Sequence, residues 1–246
     1  MRPFRHPKEA RIMNKKSISS VLAVSVLSLS LGGQLFAAGA GFGDLQGVTG
    51  QEKIDSLKSE GLVKGVSATM FNPQSVLTNA QGVQFIAGGL QLSLAAITFE
   101  AGKVPTAHDL FPAVDNKAWY AEAFLNASLN GVDIPKSVDP SAKMTKEAYV
   151  AYLMQAVEKS GNLPMIKIAP VAIADEDQIT PEYQGAIQRA IVRGLVPLDA
   201  DGKFSPKSEI TRAQAAVMLY DAVEYLKQQP EAPAPAASDS GDQTAE

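Results

Sequence analysis

Three short segments carry the chemistry this chain has to offer: Thr211-Arg212-Ala213-Gln214, Thr78-Asn79-Ala80-Gln81 and Thr145-Lys146-Glu147-Ala148. A threonine followed three places on by glutamine is a capping box. Hydroxyl and carboxamide each satisfy an orphan amide at a helix start. Thr211 with Gln214 and Thr78 with Gln81 fit that pattern, whereas Thr145 faces Ala148 and should cap more weakly. A helix start presents free N–H groups and the positive end of the helix dipole. Arg212, one place inside such a start, adds a planar fork of donors that suits a carboxylate. The chemistry on offer is anion recognition. Catalytic signatures are missing: His108 is the single histidine after residue 40, and no nucleophile elbow, phosphate loop or zinc-protease helix occurs. Asp199-Ala200-Asp201-Gly202 suggests a calcium loop at first sight, but it lacks the sixth-position glycine and the bidentate glutamate. No metal and no cofactor are expected.

The elements that must hold these residues recur. Thr78, Thr145 and Thr211 stand 67 and 66 residues apart, each with a proline five places earlier: Pro73, Pro140 and Pro206. A fixed period points to one supersecondary unit used three times. In the last copy Thr180-Pro181 reads as an N-cap followed by a first-turn proline. Tyr183, Ala186, Ile187, Ala190 and Ile191 then form a helical apolar stripe that stops at Gly194. After a loop, Ala215, Met218, Leu219, Ala222, Val223 and Leu226 form a second stripe. The first copy gives Ile54 and Leu57, then Val83, Ile86, Ala87, Leu90 and Leu94; the second gives Trp119, Ala123, Phe124 and Ala127, then Val150, Leu153, Met154 and Val157. The reading is all-α, helix–loop–helix three times, in residues 41–100, 101–165 and 166–227. Asp175-Glu176-Asp177 reads as an acidic loop that suits the dipole of the next helix.

The flanks differ in kind. Residues 14–16 are basic or polar, Ile18 to Leu31 is apolar, and Ala38-Gly39-Ala40 is small. That is the pattern of a secretory signal over residues 1–40, with Met13 a natural start and residues 1–12 an over-extended one. Beyond residue 40 there are 16 basic and 25 acidic residues, which argues against nucleic acid. No later stretch is apolar and long enough to span a bilayer. Cysteine is absent, which excludes disulfides and thiolate metal sites. Residues 228–246 are rich in proline and alanine with four acids and no base, a composition that predicts a disordered tail.

Ile173-Ala174-Asp175, Gly194-Leu195, Gly202-Lys203-Phe204-Ser205-Pro206 and Ile210-Thr211-Arg212-Ala213-Gln214 together resemble one S-layer homology repeat. Gly41-Phe42-Gly43-Asp44 with Gly61-Leu62 and Leu77 to Gln81 resembles a weaker copy. Phe111 to Asp115, Trp119, Gly131-Val132 and Met144-Thr145-Lys146 resemble a degenerate one. The resemblance implies a three-lobed, pseudo-threefold helical bundle, without catalysis, that holds a secreted protein on the bacterial envelope. It also implies binding of an anionic, often pyruvylated, secondary cell-wall polysaccharide in grooves between lobes. Carried onto this sequence, Arg212 and Lys146 are the cationic contacts, and Asn79 stands in their place in the first copy. Trp119 matches the family's tryptophan, and Asp44, Asp115 and Asp175 match its early aspartate. The family's motif glutamate is replaced by Gln81, Ala148 and Gln214, and only one motif arginine is kept.

A lone tryptophan is more often core than a sugar platform, so the residue type by itself favours a buried Trp119. Arg212, set beside an independent cap, is expected to contribute little to stability. The function expected is a secreted, cell-wall-associated protein binding an anionic wall polysaccharide. The alternative is a secreted structural protein whose degenerate repeats bind other surface proteins instead of glycan. The small residues Ala38 and Ala40 predict a mature chain that starts near Gly41. N-terminal sequencing of protein recovered from the cell wall should return that start; recovery only from cytoplasm, with Met1 or Met13 intact, would contradict it.

Overall fold

The computed structural model describes residues 41–95, 97–100, 103–163 and 169–229. The signal expected over residues 1–40 and nearly all of the tail lie outside the described residues. Among these residues the chain is helical and contains no strand. The helices are α1 (Gln51–Ser59), α2 (Asn79–Gly89), α3 (Ala107–Leu110), α4 (Ala121–Leu129), α5 (Lys146–Ser160), α6 (Pro181–Val192) and α7 (Arg212–Lys227), with a 3-10 turn at Glu176–Gln178. Each apolar stripe is buried: Ile54 and Leu57 on α1, Val83 and Ile86 on α2, Phe124 on α4, Leu153 and Met154 on α5, Ile187 on α6, Leu219 on α7.

The local signals behave as their chemistry dictates, with three exceptions. Thr78 Oγ1 accepts the Gln81 N–H and the Gln81 side chain accepts the Thr78 N–H; Thr211 and Gln214 do the same on α7. Thr145 accepts from Ala148 N with nothing in return. Thr180 departs from its expected role. Its side chain does not cap α6. Instead its hydroxyl donates to Glu147 Oε1 at 2.9 Å, because a buried carboxylate across the interface is the stronger acceptor. The short α3 is absent from the sequence reading, although Thr106 and Asp109 form a capping box of their own. Asp175 also departs: it faces the 204–205 backbone rather than the start of α6.

Apart from the short α3, which packs on α4 within its own copy, the helices pair across the sequence copies. α4 packs on α2, α6 on α5, and α1 on α7, so the first helix of the described chain closes against the last. The α2, α5 and α7 helices pack on one another between these pairs. Close approach there requires small residues. A Cβ on Gly82 of α2 would run into Met144 Sδ, and Tyr149 from α5 spans to α7 by donating its hydroxyl to Ala215 O at 2.8 Å.

Where the loops preceding α2, α5 and α7 meet, three backbone hydrogen bonds close a cycle. Leu77 N donates to Ile210 O at 3.0 Å, Ile210 N to Met144 O at 3.0 Å, and Met144 N to Leu77 O at 2.9 Å. Single antiparallel bridges join the same three segments pairwise: Val76 with Thr211, Thr78 with Lys143, Thr145 with Glu209. Leu77, Met144 and Ile210 are fully buried, so each amide has no water to fall back on.

Two loops leading into this cycle are held by aspartates. Asp44 accepts from Phe71 N at 2.9 Å and Asn72 N at 2.7 Å; Asp175 accepts from Phe204 N and Ser205 N, both at 2.8 Å. Asn72 and Ser205 sit at φ 61° and 59°, a left-handed conformation that costs energy without glycine. The Phe71 and Asn72 amides hold the Asp44 carboxyl below its ordinary range. Burial raises that of Asp175, but the Phe204 and Ser205 amides outweigh it, so it too lies below the ordinary value. Asp115 differs, accepting only from the nearby Lys117 N at 2.8 Å.

A depressed carboxyl contributes stability above its unfolded pKa and loses it as pH falls through the folded value. Asp175→Asn should therefore lower stability at pH 7 by about 1.5–3 kcal/mol, the range for hydrogen bonds to a charged group. The gap between wild type and variant should narrow below pH 4 in thermal melts. An unchanged melt at pH 7 would refute the clamp.

Candidate functional site

The helix starts are not the open amide sites that their sequence suggests. Arg212 N donates to Ser75 O at 2.8 Å and Ala213 N to Pro73 O at 2.9 Å. On α5, Lys146 N and Glu147 N donate to Ser208 O and Pro206 O; on α2, Asn79 N and Ala80 N donate to Ala142 O and Pro140 O. The third helical amide is taken by the capping threonine in every case. The expectation of free N–H groups for an anion fails for that reason. Each loop caps the helix of another copy, and recognition is left to side chains.

Those side chains sit alike in two of the three places. Arg212 lies with its guanidinium 4.7 Å from the Phe71 ring centre and 4.6 Å from that of Phe85, an aromatic clamp worth about 1–2 kcal/mol. Its Nη2 donates to Lys64 O, and its Nε has no partner. Only 8 % of the residue is exposed, and burial lowers its affinity for the proton. Arg212 is thus part of the core, which corrects the expectation that its loss leaves stability unchanged. Lys146 lies 4.6 Å from the Phe204 ring centre and donates to Phe204 O at 2.7 Å. Burial lowers its pKa, against the opposing pull of Asp175 and Asp199. Asn79, in the third place, donates its amide to Asp139 O at 2.8 Å.

Arg212 opens on a cleft of about 410 Å³ between the Gly61–Gly65 loop and α2, where Gln81, Gln84 and Phe85 form the wall. Trp119 closes its far side, although it comes from the loop before α4. Trp119 is 65 % exposed, with Tyr120 against it edge-on at 5.3 Å. The core position favoured by residue type is wrong: Tyr120 and Phe124 fill the space behind it, leaving the indole on the surface. Lys146 opens on a second cleft of about 430 Å³, walled by Val48, Val217 and Met218, with Gln214 and Asp221. Val48 and Thr49 stand there where Trp119 stands in the first.

Asp44 and Asp175 lie behind these clefts, turned to the loop amides that present Phe71 and Phe204. Asp115 lines a separate depression beside His108. Asp199 accepts from Asp201 N and Lys203 N, an internal turn, and no cluster that would hold a metal occurs among the described residues. Phe71, Phe85, Gln84 and the Lys64 carbonyl were not singled out by the sequence. Phe204 was visible only as part of a motif, with no signal that it would lie under another copy's cation.

The family model of the S-layer homology domain matches residues 172–216. The chain is 25 % identical over 185 residues to an exoglucanase, XynX, of Acetivibrio thermocellus, covering 74 % of this chain and 16 % of that protein. It is 25 % identical over 185 residues to an amylopullulanase of Thermoanaerobacterium thermosulfurigenes, covering 74 % of this chain and 9 % of that protein. A surface-layer 125 kDa protein of Lysinibacillus sphaericus is 24 % identical over 202 residues, 79 % of this chain and 16 % of its own length. The chain therefore spans less than a fifth of each of these relatives. S-layer homology domains bind cell-wall polymers, and no helix among the described residues is long and apolar enough to cross a membrane. This chain thus matches the S-layer homology domain at residues 172–216 and is similar to a surface-layer protein over most of its own length.

Proposed function

We propose that the chain is a non-catalytic wall-binding protein that takes an anionic secondary cell-wall polysaccharide into the Arg212 cleft. The single observation that carries this is Arg212 itself. A cation is clamped between two aromatic rings, with an unpartnered Nε, at the edge of a cleft closed by an exposed tryptophan. The fork supplies the charged hydrogen bonds, Gln84 a neutral partner for hydroxyls, and Trp119 a flat apolar face for a sugar ring. No pair of carboxylates stands in either cleft to perform glycoside hydrolysis. The two carbohydrate-active relatives overlap this chain over 16 % and 9 % of their own lengths, which fits a shared attachment module and not a shared catalytic one.

Retention on purified sacculi, before and after extraction of their secondary polymer, tests the reading. Wild type should be retained only on polymer-bearing sacculi. Trp119→Ala should weaken retention two- to tenfold, the size of an aromatic stacking contact, with melting temperature nearly unchanged because the ring is exposed. Arg212→Ala should weaken it roughly ten- to hundredfold and also cost stability. Trp119 is the only tryptophan, so its fluorescence reports the cleft directly. Acrylamide should quench it freely in the unbound protein and poorly once polymer is added. Equal retention on extracted sacculi, or quenching indifferent to polymer, would transfer the function to a protein partner.

A further inference from the structure

A depression between α2 and α4 adjoins the Arg212 cleft and carries the opposite charge. It encloses about 350 Å³ and shares Gln84, Gly88 and Trp119 with that cleft. We infer that it is a subsite for a neutral sugar, the next unit of the polymer after the charged one, and that Glu122 sets its specificity. The inference rests on the polymer-binding reading and adds a second position to it.

Small residues create the space. Ala87 of α2 and Ala123 of α4 are buried where the two helices pack, and Gly88 brings no side chain to the groove above them. A Cβ on Gly88 would come no closer than 3.5 Å to Gln84 Nε2, so the floor is open. The volume falls within the range of about 300–1,000 Å³ found for small-molecule sites. Asn126 is fixed beside it by donating Nδ2 to Leu92 O at 3.1 Å, which leaves its Oδ1 as an acceptor. Trp119, edge-on to Tyr120, is a wall common to both cavities.

The lining sorts ligands by charge. No lysine, arginine or histidine lines the depression, and one carboxylate, Glu122, does. Among the described residues Glu122 makes no ion pair or side-chain hydrogen bond, and the carboxamides of Gln84 and Gln91 are equally unengaged. A carboxylate that only accepts, beside carboxamides that donate and accept, suits the hydroxyls of a neutral sugar. The exposed indole offers its ring a flat apolar face. A carboxylate entering here would meet Glu122 with no cation to offset the repulsion. The Arg212 cleft is the reverse, with cations and no carboxylate in its lining. Joined at Trp119, the two positions read a charged sugar next to a neutral one. Glu122 also stands in the first turn of α4, where an acid suits the helix dipole, but that role confers no preference among ligands.

The test uses wall polymer released from sacculi and partly hydrolysed, its fragments separated by size and charge. Calorimetric titration of the full-length protein compares fragments of one and two sugars that each carry a single charge. Wild type should bind the better two-sugar fragment about tenfold more tightly than the one-sugar fragment, the effect of a hydrogen bond to a charged group. Glu122→Ala should bind both alike, with its affinity for the one-sugar fragment unchanged, since Glu122 does not line the Arg212 cleft. Gln91→Gly, which suits that residue's φ of 53°, should reduce the advantage by less. A Glu122→Ala variant that keeps the tenfold advantage overturns the inference and leaves the Arg212 cleft standing. So does a wild type that binds the polymer without favouring the two-sugar fragment, or a bound polymer whose two-sugar fragments all carry two charges. Wild type that binds neither the fragments nor the intact polymer overturns the polymer reading as well.

Discussion

Three backbone hydrogen bonds, from Leu77 to Ile210, Ile210 to Met144 and Met144 to Leu77, are the constraint on which the other features depend. They are buried and cyclic, so none can form in isolation at low cost. Each joins segments more than sixty residues apart in the chain. The helices that follow inherit their positions from this cycle. α2, α5 and α7 start beside it, and α4, α6 and α1 each pack on one of them. The pairing of α1 with α7 makes closure obligatory, since the first and last described helices complete one another's burial.

The cycle also determines what kind of recognition is possible. Because Ser75, Pro73 and their counterparts accept the first helical amides, the dipole ends are sealed by protein carbonyls. Ligand chemistry is displaced onto the residue at the first helical position, and the identity of that residue then decides everything. Arginine reaches over Phe71 to Phe85 and keeps a donor free; lysine folds onto Phe204 and its carbonyl; asparagine closes on Asp139. The aspartates play an indirect part. By fixing Asn72 and Ser205 in left-handed geometry, Asp44 and Asp175 bring a phenylalanine beneath each cation.

The helical content and the capping threonines are legible in the sequence because both depend on neighbours within four residues. What sequence alone does not reveal is anything decided between copies. Thr180 shows this plainly. Its local context, threonine before proline, signals a cap, yet a buried glutamate 33 positions away takes its hydroxyl. Trp119 shows the reverse, a large apolar residue that stays outside because Tyr120 and Phe124 fill the core behind it. Arg212 could be recognised as a cation near a helix start. Its burial between two rings could not, since Phe71 and Phe85 lie more than 120 residues away in the chain.

α7 joins two ends with different roles. Its sixteen residues make a rod about 24 Å long, at 1.5 Å of rise per residue. Arg212 stands at one end and Lys227 at the other. With a wall polymer held at Arg212, tension on whatever chain continues beyond Lys227 would run along the helix axis. α1 lies alongside and is riveted to it by Lys53–Asp221 at 2.6 Å and Glu60–Lys227 at 2.9 Å. A pull on the chain would thus be shared as shear between two helices.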